Sequence, residues 1–298
     1  MFATATIVRS MAAALVIAAS IQLFTVGYLS PRLPKEVVRP SLKDTRTMTF
    51  PKARLVHLNN PEGGLTVTTH AGHEIRLTAS VRAYLASPDA QVIAQEYLKK
   101  LVSTDRILDT LLISSEPEPR PDEVDIRVDY TLAVPVGTDI GADCMDGNVS
   151  VGPGCGKALI RGNYTDIQIT EPEGTVVAKT STGRINVTNA SERTTLETVN
   201  GGIYVQLVGG TLEASTTTGD INATVARSAV ESCDLTVMNG DITLVLCEEC
   251  DAQVEATTGR GTVSCQPALV GPGRVQRRRE VRGTIGLGGP RVKMDSLK

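Results

Sequence analysis

Between about Ile140 and Cys265 the apolar and polar positions follow one phrase that keeps returning. It reads Ala178-Lys-Thr-Ser-Thr-Gly183-Arg-Ile-Asn-Val187, then Leu196-Glu-Thr-Val-Asn-Gly201-Gly-Ile-Tyr-Val205, then Ala214-Ser-Thr-Thr-Thr-Gly219-Asp-Ile-Asn-Ala223. Further copies centre on Gly240 and Gly259, and one is legible around Gly147. The pivots 147, 183, 201, 219, 240 and 259 are separated by 36, 18, 18, 21 and 19 residues, and Thr165-Asp166-Ile167 stands at the midpoint of the long interval. Small or apolar residues fall five and three positions before each pivot and two and four after it. That period of two marks strands with one buried face. Each repeat therefore reads as two short strands joined at a glycine corner, with Asn200-Gly201 and Asn239-Gly240 supplying turn chemistry.

One such repeat cannot bury its own apolar row, so neighbours must stack at roughly 4.8 Å. The fold expected is mainly β, a parallel β-solenoid (β-helix) of about seven rungs over residues 138–298, with its handedness left open. An antiparallel sandwich of Asn-Gly hairpins is the competing reading. The constant register of the repeat favours the solenoid.

Upstream, Leu65-Thr-Val67, Ile75 to Val81 and Val124 to Val134 alternate as strands, while Ser87-Pro88 opens a helix carrying the stripe Ile93, Tyr97, Leu98 and Leu101. Residues 48–137 are expected to form a small α+β cap on the solenoid, with the repeat absent between Arg54 and Val134. Met11 to Tyr28 is an 18-residue run without a charge, flanked by Arg9 and Arg32. Residues 1–30 are expected to hold one hydrophobic helix, a membrane anchor entering the bilayer through residues 7–28, with 31–47 as linker. No small-x-small site follows the run, which favours an uncleaved anchor; cleavage would make the chain secreted. Either way the rest of the chain crosses a membrane, in an orientation the flanking charges leave open. At the other end, Gly288-Gly-Pro290 starts a further turn that is left incomplete, so an exposed strand edge invites self-association.

Composition sharpens this picture. Aromatic residues make up 3% of the chain, with no Trp and three Phe, which suits a narrow interior of Ile, Val, Leu, Thr and Ala. A net charge of −3 argues against nucleic acid as a partner. The six cysteines suit an exported chain with disulfides. Cys144 and Cys155 flank a Gly-rich loop that a local bridge could close, and counting along the repeat brings Cys247 near Cys265 and Cys233 near Cys250; buried free thiols, or a zinc site on Cys247-Glu-Glu-Cys250, are the alternatives. The residues after the pivots place Asp166, Arg184, Asp220, Asp241 and Arg260 in a candidate exposed ladder for a cation or a sugar, against the plainer reading of polar corners. His70 and His73 read as a turn, and Arg277, Arg278 and Arg279 as a solvated loop. No nucleophile-base pair, metal constellation or cofactor motif stands out.

The segment Tyr130-Thr-Leu-Ala-Val-Pro135-Val-Gly137, the repeated Thr/Asn-Gly-x-Ile-x-Val phrase and the closing Gly-Gly-Pro together resemble a bacterial family of uncharacterised domains labelled "putative adhesins". The resemblance runs from about Leu65 to the end of the chain. It implies a variable N-terminal β-rich part behind a membrane segment, then a repetitive solenoid, and no catalytic motif. Thr165 in place of a pivot glycine, Gly261 in place of the usual Ile, and the number of cysteines depart from the pattern. The expectation is a non-enzymatic, membrane-anchored, extracytoplasmic module of the cell envelope, binding an unknown protein or glycan on its solenoid face or serving as a scaffold. A polysaccharide-active enzyme using Asp220 and Asp241, and an accessory protein of an envelope-stress system, are the alternatives.

Overall fold

The structure is a computed structural model that describes residues 4–9, 42–85, 90–115, 124–226, 230–260, 262–266 and 270–297. Strands dominate it: β1 (Thr4–Arg9), β2 (Leu42–Pro51), β3 (Leu55–Glu62), β4 (Leu65–His70), β5 (Glu74–Leu85), helix α1 (Ala90–Leu101), β6 (Ser103–Ile107), β7 (Thr110–Ser114), β8 (Val124–Pro135) and β9 (Asp139–Val151). There follow β10 (Ala158–Thr170), β11 (Val176–Thr182), β12 (Ile185–Ala190), β13 (Thr194–Asn200), β14 (Ile203–Leu207), β15 (Gly210–Thr218) and β16 (Ile221–Val225). The last are β17 (Val230–Asn239), β18 (Ile242–Leu246), β19 (Ala252–Thr258), β20 (Thr262–Gln266), β21 (Val270–Arg277), β22 (Glu280–Ile285) and β23 (Arg291–Ser296).

Two parallel ladders run the length of the molecule. The leading ladder stacks β7, β3, the first halves of β9 and β10, then β11, β13, β15, β17, β23 and β19. The trailing ladder stacks β8, β4, the second halves of β9 and β10, then β12, β14, β16, β18, β1 and β20. Most levels are one leading strand, a glycine corner and one trailing strand, so the inward faces of the two ladders enclose the core. Ile185, Ile203, Ile221 and Ile242 are paired in register from level to level, and each has 0% exposure. Alternation of β-branched residues in the sequence has thus become one aliphatic column.

The corners explain the glycines. Gly183 has φ +148°, and a Cβ there would lie 2.1 Å from the carbonyl oxygen of Thr165 on the level before. Stacked corner backbones leave no room for a side chain. Three positions before the corner, buried Thr198 and Thr216 donate their hydroxyls to the carbonyls of Gly183 and Gly201 at 3.3 and 3.0 Å. Each threonine so satisfies its own hydroxyl inside an apolar interior. The level without a pivot glycine solves the same problem by exchange. Thr165 occupies the corner and Gly162 the position three before it, where a Cβ would come within 2.4 Å of the Thr165 Cβ. The Thr165 side chain, 0% exposed, turns inward and donates to the Cys144 carbonyl at 3.2 Å.

Several expectations need correction. Residues 48–137 do not stand apart as a cap: β3 and β4 form a full level around Gly63, φ +126°, and pair directly with β9. The corner is written Pro61-Glu62-Gly63-Gly64-Leu65, without the Thr/Asn-Gly-x-Ile phrase, and so the sequence pattern missed it. Strands β7 and β8 add another level outside it, which makes β8 skip over β3 and β4 before the chain enters β9. The levels expected at 147, 165, 183, 201, 219, 240 and 259 are present, but these two and one between β17 and β19 lengthen the stack beyond the seven expected. Antiparallel strands close both ends, with β5 and β2 beyond β8, and β22 and β21 beyond β19. Helix α1 packs on β5, and Arg46 donates to its last carbonyls, at Leu98 and Lys99. Residues 4–9, expected to belong to the N-terminal helix and in part to its membrane entry, form strand β1 instead; the run Met11–Tyr28 lies outside the described residues, among which no helix is long and apolar enough to cross a membrane.

Candidate functional site

Beside the corners of β9, β10 and β11, a groove of about 340 Å³ is lined by Asn148, Ser150, Asp166, Gln168, Arg184 and Asn186, with Val149 and Ile167 at its base. The stacking builds it. Asn148 registers with Asp166, Ser150 with Gln168, Gln168 with Asn186, and Asn186 with Tyr204. Two outward columns, one and three residues after the corner, thus set amides, a carboxylate, a guanidinium and a phenol side by side at the inter-strand spacing of roughly 4.8 Å. The Arg184 guanidinium lies over the Tyr204 ring, 5.6 Å from its centroid, which holds both side chains at the groove margin. Tyr164, 61% exposed, stands at the same corner.

The expected ladder is only partly continuous. Asp166 and Arg184 belong to the groove, whereas Gly202 leaves a gap before Asp220 and Asp241. Asp166 accepts the backbone N–H of Arg184 at 2.7 Å, and Asp220 accepts that of Asp241 at 2.9 Å. Each carboxylate therefore staples its corner to the next, the plainer reading of these residues. Arg260 lies outside the ladder, because β23 intervenes between β17 and β19 and separates its corner from that of Gly240 by two levels. Gln168, Asn186 and Tyr204 were not singled out from the sequence, although their constant offset of three from the pivots was a usable signal.

The cysteines pair differently from the count along the repeat. Cys247 is joined to Cys250, with Cα atoms 5.1 Å apart, while Cys144, Cys155 and Cys233 are buried free thiols. Cys233 registers with Val292 of β23, and Val292 with Val254 of β19, so β23 parts Cys233 from Cys250. On the trailing ladder β1 separates β18 from β20 and removes Cys265 from Cys247. Cys144 lies four residues beyond Ile140, whose partner Ala158 itself follows Cys155. Four strand positions are about 13 Å, too far for a disulfide. The Cys247–Cys250 bond also removes the zinc reading of that motif, and among the described residues no group of three or more His, Cys, Asp or Glu could hold a metal ion. His70 Nδ1 accepts the Gly72 N–H at 2.9 Å, within the turn between β4 and β5.

The family model described as Toastrack DUF4097 matches residues 127–293, more than half of the chain. The chain belongs to this family. In the toastrack domain the match begins in β8 and runs through the repeated levels into β23. Similar solved structures include a "putative adhesin" from Parabacteroides distasonis, 12% identical over 86% of this chain and 99% of that one, with a TM-score of 0.45. Another "putative adhesin", from Bacteroides fragilis, is 13% identical over 88% and 100%, with a TM-score of 0.41. A "putative cell adhesion protein" from Clostridium sporogenes is 8% identical over 85% and 95%, with a TM-score of 0.27. No curated protein matches the chain.

Proposed function

We propose that this toastrack protein is a non-enzymatic binding module of the cell envelope, tethered by its Met11–Tyr28 segment, and that the corner groove receives a hydroxyl-rich ligand such as a glycan. The observation that carries this reading is the juxtaposition of Asn148, Ser150, Asp166, Gln168, Arg184 and Asn186 in one groove, with Tyr164 and Tyr204 nearby. Side-chain amides, a carboxylate and a guanidinium are the donors and acceptors that bind sugar hydroxyls, and exposed phenol rings offer stacking faces. The lining contains one carboxylate and no imidazole, whereas the usual glycoside hydrolysis uses two carboxyl groups flanking the bond. The names of the similar structures, which refer to adhesion, agree with a surface role.

A glycan array probed with the full chain in detergent tests the reading. Saturable binding that Arg184→Ala and Tyr204→Ala each weaken by roughly tenfold, the loss of one good polar or stacking contact, is expected. Binding that survives both changes, or turnover of a bound glycan, would set it aside.

A further inference from the structure

At the end of the stack opposite to β23, β5 and then β2 extend the trailing ladder beyond β8, and among the described residues β2 pairs with β5 alone. Strand β2 is ten residues long, against five for β6, which ends the leading ladder on the same side. Register decides which of its backbone groups face outward. Lys52 donates its N–H to the His73 carbonyl at 3.0 Å, one step beyond the registered pair Pro51 and Glu74. Hydrogen bonding alternates along an antiparallel pair, so the even-numbered residues from Leu42 to Phe50 bond β5. The odd-numbered Lys43, Thr45, Thr47 and Thr49 turn N–H and C=O away from it. Pro51, which has no N–H to offer, falls in this outward set. Its carbonyl accepts from the Arg106 guanidinium of β6 at 3.2 Å, which closes that end of the edge.

Side chains alternate as well. Lys43, Thr45, Thr47 and Thr49 are exposed, whereas Leu42, Met48 and Phe50 are partly buried against the core. Between them on the same face, Asp44 and Arg46 form an ion pair at 2.8 Å, their side chains 39% and 27% exposed. Along the edge this face therefore reads apolar, acid, base, apolar, and that order complements itself when reversed. If two β2 strands lie antiparallel with Thr45 opposite Thr45, Asp44 faces the partner's Arg46, Arg46 the partner's Asp44, and Leu42 the partner's Met48. These are the pairs without mutual hydrogen bonds, in which side chains stand closest. The outward groups meet in the intervening pairs, Lys43 with the partner's Thr47 and Thr45 with the partner's Thr45. A slip of two residues, the smallest that keeps donors opposite acceptors, sets Asp44 against Asp44 in one direction and Arg46 against Arg46 in the other. Like charges directly opposed are unfavourable, so one register is selected.

We propose that the free edge of β2 is a two-fold interface between two copies of this chain, with Thr45 on the axis and the sheet continuous from one copy to the other. Main-chain pairing supplies the attachment. The reversed sequence of charged and apolar side chains makes a second copy the partner that fits.

Cysteine cross-linking of the full chain in mild detergent tests this. With a mild oxidant Thr45→Cys should join two chains, because Cα atoms of a hydrogen-bonded antiparallel pair lie roughly 5.5 Å apart, within the reach of a disulfide. Thr49→Cys sits in the same exposed column but eight strand positions from its counterpart, roughly 27 Å, and should not. Thr45→Pro removes only an outward N–H, so the melting temperature should hold while the dimer measured by sedimentation weakens roughly tenfold. Asp44→Arg, which opposes arginine to arginine, should weaken it to a similar degree. A chain that stays monomeric and forms no link through Thr45→Cys would overturn the proposal, as would equal cross-linking at the two positions. A dimer indifferent to both Thr45→Pro and Asp44→Arg would overturn it too, by placing the contact elsewhere.

Discussion

The exchange of threonine and glycine between Gly162 and Thr165 allows the corner geometry to be tested by transplanting it one level along. Gly183→Thr alone puts a β-branched side chain at φ +148° and its Cβ within 2.1 Å of the Thr165 carbonyl oxygen. Strain plus overlap should cost about 3–5 kcal/mol. Thr180→Gly alone empties a buried site, 5% exposed, and loses the hydroxyl donated to the Asn163 carbonyl at 3.2 Å. That change should cost about 2 kcal/mol from the lost packing, the lost hydrogen bond and the freer backbone. Together the two changes recreate the Gly162 and Thr165 arrangement, with the new threonine turning inward to fill the space vacated at 180. The double variant should then lose only about 2 kcal/mol, a coupling of about 3 kcal/mol or more between the sites. Urea unfolding followed by far-ultraviolet circular dichroism measures all four proteins, since the chain has no tryptophan. A double variant that loses as much as the sum of the singles would refute the reasoning.

Three other expectations follow from the same structure. Asp220→Ala should cost about 1 kcal/mol by removing the acceptor for the Asp241 N–H, while Asp220→Asn, which keeps an acceptor oxygen, should be nearly neutral in thermal melts. Reducing the Cys247–Cys250 bond, which closes a four-residue loop, should lower stability by about 2 kcal/mol, read from melts with and without reductant. Burial pushes the thiols of Cys144 and Cys233 up to about 12 and that of Cys155 up to about 11, from an ordinary value of 9.0. Because the folded state holds these protons longer than the unfolded chain does, this stability is intact below pH 9 and is lost as pH rises from about 9 to 12. Alkylation at pH 8 followed by peptide mapping should leave all three unmodified until the protein is denatured.

Much of the architecture was legible because the repeat encodes it locally. An isoleucine two residues after Gly183, Gly201, Gly219 and Gly240, at intervals of 18, 18 and 21, fixes both the strand face and the level at which it stacks. What escaped was whatever breaks sequential order. Gly63 makes a corner without the usual flanking residues, and β8 passes over an entire level before β9 begins. The further turn read at Gly288-Gly-Pro290 is β23, but no local signal tells that it inserts between β17 and β19 instead of leaving an exposed edge, and this insertion undid the expected neighbours Cys233 and Cys250, Cys247 and Cys265. The corner site was half legible for a similar reason. Asp166 and Arg184 drew notice by their charge, whereas Gln168, Asn186 and Tyr204 joined them only once register placed the column three residues past the corner beside them.

The two-ladder stack underlies every feature described above, and isoleucine methyl groups report on it directly. In a protein labelled with ¹³C only at isoleucine δ1 methyls, a nuclear Overhauser spectrum should link Ile185 to Ile203, Ile203 to Ile221 and Ile221 to Ile242, each pair being adjacent in register. It should show no direct contact between Ile185 and Ile242, three levels apart. Missing links between successive pairs, or a strong cross-peak between Ile185 and Ile242, would contradict the stack.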